Sequence, residues 1–166
     1  MGSSVRTRRV TRDEWKRARE LRLRALVDAP DAFGSTLDEE RAHGEAEWIG
    51  WIEGWTGSRN ALFVAEDGER WVGMAVGSRD GDEPDAHLYG MWVEPSRRSS
   101  GIGASLVEKV LGWARTWDAR SVILGVTETN VGAAAFYEHL GFVDTGERDP
   151  LREGSELRVR ILRREL

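Results

Sequence analysis

The chain has no cysteine in its 166 residues, only four prolines and only two tyrosines. Without cysteine there can be no disulfide, no thiolate metal site and no thiol nucleophile. No apolar run approaches the length that spans a bilayer. The start "MGSSVRTRRV" lacks the apolar core of a secretory leader, so a cytoplasmic protein is expected. A basic excess is missing too: 24 Lys and Arg stand against 29 Asp and Glu, a formal charge of −5. That argues against a nucleic-acid partner, whose phosphates need a basic face. It suits a cationic or amine substrate. No repeat, low-complexity tract or linker divides the chain, and residues 1–166 are expected to form one domain. Tryptophan is abundant at eight, so the scarce tyrosines carry more information.

Alternation in "SVRTRRV" predicts a first strand. Thr11 precedes "RDEWKRARELRLRALVDA", where Trp15, Ala18, Leu21, Ala25 and Leu26 make one apolar stripe, with acids in the first turn and Pro30 at the end. "PDAFGSTLDEE" is a turn-rich connection, and Ser35 or Thr36 can cap the chain beyond it as a helix. "EAEWIGWIEGW" predicts a second helix with tryptophans along one side. "ALFVAED" and "RWVGMAVGSR" are strands joined through Asp67-Gly68, a hairpin signal. "AHLYGMWVEP" is a strand closed by Pro95; its alternation places His87, Tyr89, Met91 and Val93 on one face and Leu88, Gly90, Trp92 and Glu94 on the other. Residues 101–119 predict a long amphipathic helix. The apolar "SVILGVTE" predicts a strand buried on both faces. "NVGAAAFYEHLG" is a short helix ending at Gly141, and "FVDTGERD" and "ELRVRILRRE" are closing strands. The order β-α-α-β-β-β-α-β-α-β-β predicts a mixed α/β (α+β) fold.

Between the fourth strand and the long helix lies "VEPSRRSSGIG". A helix start offers unpaired N–H groups and a partial positive charge, and glycines let a ligand reach the backbone. Two familiar phosphate motifs fail here. The dinucleotide fingerprint needs a small residue where Leu106 stands, and the P-loop needs Lys-Ser/Thr where Ala104-Ser105 stands. Further on comes "NVGAAAFYEHLGF", with Asn130 opening a helix and Tyr137 late in it.

Together these segments resemble the GCN5-related N-acetyltransferase (GNAT) superfamily. Val93, Pro95, Arg98, Gly101 and Gly103 fit that family's V-x-P-x-x-R/Q-x-x-G-x-G/A loop; Asn130, Ala133, Tyr137, Gly141 and Phe142 fit its N-x-x-A-x-x-x-Y-x-x-x-G-F helix. The resemblance covers the whole chain in element order. It implies a single mixed, mostly antiparallel sheet of six to seven strands flanked by four helices. It also implies transfer of an acetyl group from acetyl-CoA to a primary amine by direct attack in a ternary complex. The coenzyme pyrophosphate would sit on Arg98, Ser99, Ser100, Gly101, Ile102, Gly103 and Ala104. Its pantetheine arm would run along the backbone of Met91, Trp92 and Val93 and past Asn130, Ala133 and Tyr137. Ser99 and Ser100 depart from the family, which often has a glycine and a basic residue there.

The resemblance places the Tyr137 hydroxyl near the coenzyme sulfur, as proton donor to the departing thiolate; a phenol of pKa about 10 is protonated at neutral pH. His87 stands at the offset of a catalytic glutamate in histone-acetyltransferase members. A histidine there can take the amine proton directly or through water; Glu94 and water alone are alternatives. The family's acceptor region corresponds here to "PDAFGST", the second helix and residues 147–154. There Phe33 and Trp48 or Trp51 can line an aromatic pocket for an amine, and Asp31, Asp38, Glu39 and Glu40 can attract it. The acceptor is expected to be a small amine or a peptide N-terminus, with no metal, nucleic acid or membrane involved; the resemblance leaves a homodimer open. A non-catalytic acyl-CoA sensor of the same fold is the competing reading, and a nucleotide-binding protein is a third.

Overall fold

Val5–Arg9, the alternating start of the chain, forms β1 and pairs antiparallel with β2 (Asn60–Asp67) in a computed structural model that describes residues 4–166. β2 turns through Asp67-Gly68 into β3 (Arg70–Arg79), which pairs with β4 (Ala86–Val93). β5 (Ser121–Thr127), β6 (Val143–Pro150) and β7 (Arg158–Glu165) complete a seven-stranded sheet of order β1-β2-β3-β4-β5-β7-β6. Its neighbours are antiparallel except β4 and β5, which are parallel.

The helices are α1 (Trp15–Asp28), α2 (Leu37–Arg41), α3 (Glu45–Trp55), α4 (Ile102–Thr116) and α5 (Val131–His139). This is one more than the four expected. The extra helix α2 lies in the turn-rich connection. Thr36 caps it reciprocally with Glu39: the Glu39 N–H donates to Thr36 Oγ1 at 3.2 Å and the Thr36 N–H to Glu39 Oε2 at 2.9 Å.

Period-two alternation sorts the central strands between two apolar layers. Ala61, Phe63 and Ala65 of β2 join the layer under α4 and α5, with Leu106, Val110 and Phe142. Leu62 and Val64 join the other, with Leu21, Leu26 and Ile52 of α1 and α3. The α1 stripe is buried as its spacing predicts, at Ala18, Leu21, Ala25 and Leu26.

β4 departs from simple alternation. Val76 of β3 faces Tyr89 while Met74 faces Trp92, so two β4 residues, Gly90 and Met91, oppose Ala75 alone. This is a β-bulge, and Gly90 supports it with a φ of +59°. The extra residue resets the faces. Ala86 and Leu88 share the α4 layer with Met91 and Val93, whereas Trp92 enters the α1 layer. The expectation that His87, Tyr89, Met91 and Val93 share a face is therefore wrong beyond Tyr89. β4 also parts from β5: only Ala86↔Val122 and His87↔Ile123 are paired. β5 is accordingly not buried along both faces, because Ile123 is half-buried and Gly125 exposed where the strands diverge.

Candidate active site

The divergence of β4 from β5 opens a cleft of about 880 Å³. Its walls include His87, Tyr89, Gly90 and Met91 of β4, Ile123 to Thr127 of β5, and Asn130, Ala133 and Tyr137 at the start and middle of α5. Phe33, Trp51 and Trp55 close it from the α1 side, and Glu147 and Asp149 from β6.

Tyr137 is 6% exposed and packs edge-on against Phe136 and Phe142. Burial alone pushes its phenol well above the ordinary value, because the phenolate would lose its hydration. The group therefore stays protonated through neutral and mildly alkaline pH, as a proton donor must. Asn130 caps α5 by accepting the Ala133 N–H at 3.1 Å, which fixes the helix start at the cleft.

His87 lines the cleft in a parallel stack on Tyr89, centroids 5.7 Å apart, with Nε2 3.2 Å from Glu83 Oε2. Sequence reasoning marks Tyr89 only as a strand residue. Its hydroxyl donates to Asp80 Oδ2 at 3.3 Å, and burial, reinforced by the Asp80 charge, pushes its pKa up to about 12. Glu94 is no candidate base. It lies outside the cleft, takes hydrogen bonds from Arg70 and from Arg24 (2.6 Å), and is held below the usual carboxylate range by them.

The anion loop is built mainly from backbone. Among the described residues, no hydrogen bond is donated by the six successive N–H groups of Ser99 to Ala104; the first turn of α4 closes only at Ser105 N to Gly101 O, 3.0 Å. Three of these donors precede the fifteen-residue α4 and three lie in its first turn, where the helix dipole favours an anion. Ser99 (φ 63°) and Gly101 (φ 87°) are both left-handed. The first position explains why a glycine is common there in the family; here serine bears the strain.

The loop arginines are tied to the rest of the protein. Arg98 donates through Nη2 to Asp28 (2.6 Å) and through Nε to the Val93 carbonyl (3.0 Å), and Arg97 pairs with Asp67. These contacts hold the loop, and among the described residues the Nη1 of Arg98 donates to nothing, on a side chain that is about half exposed. Ser100 Oγ donates to the Arg97 carbonyl. Two further expectations change. The Ile102 side chain is 5% exposed and belongs to the core, leaving only its N–H for a ligand. Gly103 also answers to packing: a Cβ there would lie 3.0 Å from Phe136 and 3.2 Å from Met91. That contact joins the loop to the cleft, since Met91 lines it. Ala104 is half-buried beside it.

Trp92 and Val93 do not present side chains to the cleft. Trp92 is buried in the α1 layer and donates Nε1–H to Asp28 at 2.9 Å; Val93 lies in the α4 layer and its carbonyl is taken by Arg98. On the acceptor side, Phe33 and Trp51 line the cleft. Trp48 does not: it is 2% exposed and packs edge-on against Trp51 and His43. The helical period turns Trp55 into the cleft instead, 6.1 Å from Tyr89. Trp55 stands in the same stripe, and only its distance from β4 distinguishes it.

Comparison with known proteins agrees with this geometry. Residues 15–142 match the model of the acetyltransferase (GNAT) family. An uncharacterized N-acetyltransferase of Mycobacterium tuberculosis (strain H37Rv) is 34% identical over 121 residues, 72% of this chain and 73% of that protein. A mycothiol acetyltransferase of Thermobispora bispora is 28% identical over 122 residues, 74% of this chain but 40% of that protein. Among solved structures, the fold is shared with the Salmonella typhimurium protein yncA, solved with acetyl-CoA as its cofactor (TM-score 0.79, 18% identity, 99% and 95% of the two chains). It is shared also with a ribosomal-protein-alanine N-acetyltransferase from Brucella melitensis (TM-score 0.79, 20% identity, 97% and 99%). The chain therefore belongs to the GNAT acetyltransferase family, a family of acyltransferases that take their acetyl group from acetyl-CoA.

Proposed function

We propose that the chain is a cytoplasmic, single-domain N-acetyltransferase that moves the acetyl group of acetyl-CoA to a primary amine by direct attack. The observation that carries this reading is the junction of two features at Met91: the run of six free N–H groups leading into α4, and a cleft holding the buried Tyr137. The N–H groups of Ser99 to Ala104 suit the coenzyme pyrophosphate, and Asn130, Ala133 and Met91 suit the pantetheine arm. The strand divergence explains how the arm enters. Beyond His87↔Ile123 the facing edges of β4 and β5 are not paired with each other, so their backbone groups can serve a ligand instead.

In this reading the amine nitrogen attacks the thioester carbonyl. A C–N bond forms, the C–S bond breaks, and the departing thiolate takes the Tyr137 proton. His87, directly or through water, takes the proton lost by the amine and can pass it on toward Glu83, 3.2 Å away. No cysteine is present for a thiol acyl-enzyme. The amine enters over Phe33, Trp51 and Trp55. The test is release of free coenzyme thiol from acetyl-CoA with a panel of amines and peptides. Amine-dependent release, lost in Tyr137→Phe, is expected; acetyl-CoA binding without acetylation of any amine would establish a sensor instead.

A further inference from the structure

Arg22 and Glu40 form an ion pair in the cleft wall that the acetyl-transfer chemistry does not use. Their side chains are 11% and 5% exposed. The pair is bidentate: Nε reaches Oε1 and Oε2 at 3.2 and 2.9 Å, and Nη2 reaches Oε1 at 3.1 Å. A buried pair of this kind adds little stability, because desolvation offsets the attraction. What it fixes is orientation. The capping box on α2 sets Glu40, Glu40 holds the Nε–Nη2 edge of the guanidinium, and the Phe33 ring lies against it with Cζ 4.5 Å from the centroid.

The other end of the guanidinium is unspent. Among the described residues Nη1 donates to nothing, and Nη2 has a second hydrogen to give. Nη1 lies 3.5 Å from where a Cβ on Gly90 would stand, at the β4 bulge. Arg22, Glu40 and Gly90 all line the cleft. A planar edge with two parallel donors, rigidly held in a half-closed aromatic site, has the geometry of a carboxylate clamp. Glu40 cancels the net charge, so the edge would select by shape and hydrogen bonding. The remaining wall carries Glu147 and Asp149, which favour an ammonium group.

We infer that the acceptor is an amine that also bears a carboxylate, an amino acid in the broad sense, and that Arg22 binds that carboxylate. This rests on the acetyl-transfer reading for the identity of the cleft, but the donor edge is a feature of Arg22 itself. Binding and turnover can therefore be tested apart. Binding is followed by tryptophan fluorescence, since Trp51 and Trp55 line the cleft, with coenzyme A present. The probes are a panel of N-acetyl amino acids, each paired with its uncharged amide. At least one acid is expected to bind ten-fold or more tightly than its amide. The preference should vanish in Arg22→Met combined with Glu40→Gln, which leaves no charge buried alone. Arg22→Lys, keeping charge without the fork, should retain only part of it and is the measurement to use should the double variant not fold. Equal binding of acids and amides, no binding by any acid, or an undiminished preference in either variant overturns the inference. Coenzyme release is measured on the same preparations. Turnover of amines without regard to a carboxylate would keep acetyl transfer and remove the Arg22 assignment. Carboxylate-selective binding with no coenzyme release would do the reverse.

Discussion

Arg98 Nη2 lies 2.6 Å from Asp28 Oδ2, at the end of a helix seventy residues earlier in the chain. The same oxygen accepts the Trp92 indole N–H at 2.9 Å. One carboxylate thus ties the end of α1 to β4 and to the anion loop. Arg98 passes the restraint on through the Val93 carbonyl.

If Arg98 acts by holding the loop, Asp28→Ala should reproduce part of the effect of Arg98→Ala. With Arg98 about half exposed, solvent screens the pair, and a stability loss of about 1 kcal/mol is expected. Acetyl-CoA affinity should fall several-fold in a calorimetric titration, with kcat largely kept. Unchanged melting temperature and affinity in Asp28→Ala would show the link to be idle.

Ser99 has a φ of 63°, where a residue with a Cβ is strained by about 1–2 kcal/mol. Glycine removes that strain but loses more backbone entropy on folding. Ser99→Gly should therefore gain up to about 1 kcal/mol, seen as a rise of a few degrees in melting temperature. Ser99→Val, β-branched, should lower it. A fall in Ser99→Gly would mean that the serine side chain contributes more than the strain it imposes.

Tyr137→Phe removes a hydroxyl that no described residue hydrogen-bonds, so the fold should keep its melting temperature. Under the acetyl-transfer reading kcat should drop roughly 10²- to 10⁴-fold, the range of positioned proton donors, while KM for acetyl-CoA barely changes. A stable variant with unaltered kcat would assign the ring to packing alone.

Arg8 bridges Glu14 (2.6 Å) and Glu66 (2.8 Å), and the Trp71 indole also donates to Glu66 at 3.0 Å. Hydrogen bonds from Arg8 hold both carboxyls down to about 2, against an ordinary 4.5. Depressed acids stabilise the fold fully above the ordinary value; that stability is lost as pH falls from about 4.5 toward 2. Urea melts between pH 7 and pH 3 should show the decline beginning near pH 5. Arg8→Met should lower stability at pH 7 and flatten that decline. An equally steep decline in the variant would assign it to other groups.

Much of this protein is legible in the sequence because its signals are local. Periodicity marks α1, α4 and the paired strands, while Thr36, Asn130 and Gly141 punctuate helices through short-range hydrogen bonds and backbone freedom. The two motifs place Gly101, Asn130 and Tyr137 in one family pattern without knowledge of any contact. What the chain could not announce are relationships between distant segments. A single left-handed glycine at position 90 inserts a residue into β4 and reverses its faces, so alternation misassigns Met91 and Val93. Trp48 and Trp55 lie in one helical stripe, but tertiary packing buries the first and leaves the second in the cleft wall. Arg98 reads as an anion ligand from its motif, yet Asp28 reaches it only because α1 ends above the loop. Composition and spacing determined the elements, and the resemblance of two motifs pointed to the family. Packing decided which donors remain free, since a polar group is available to a ligand only where the folded chain has not already satisfied it.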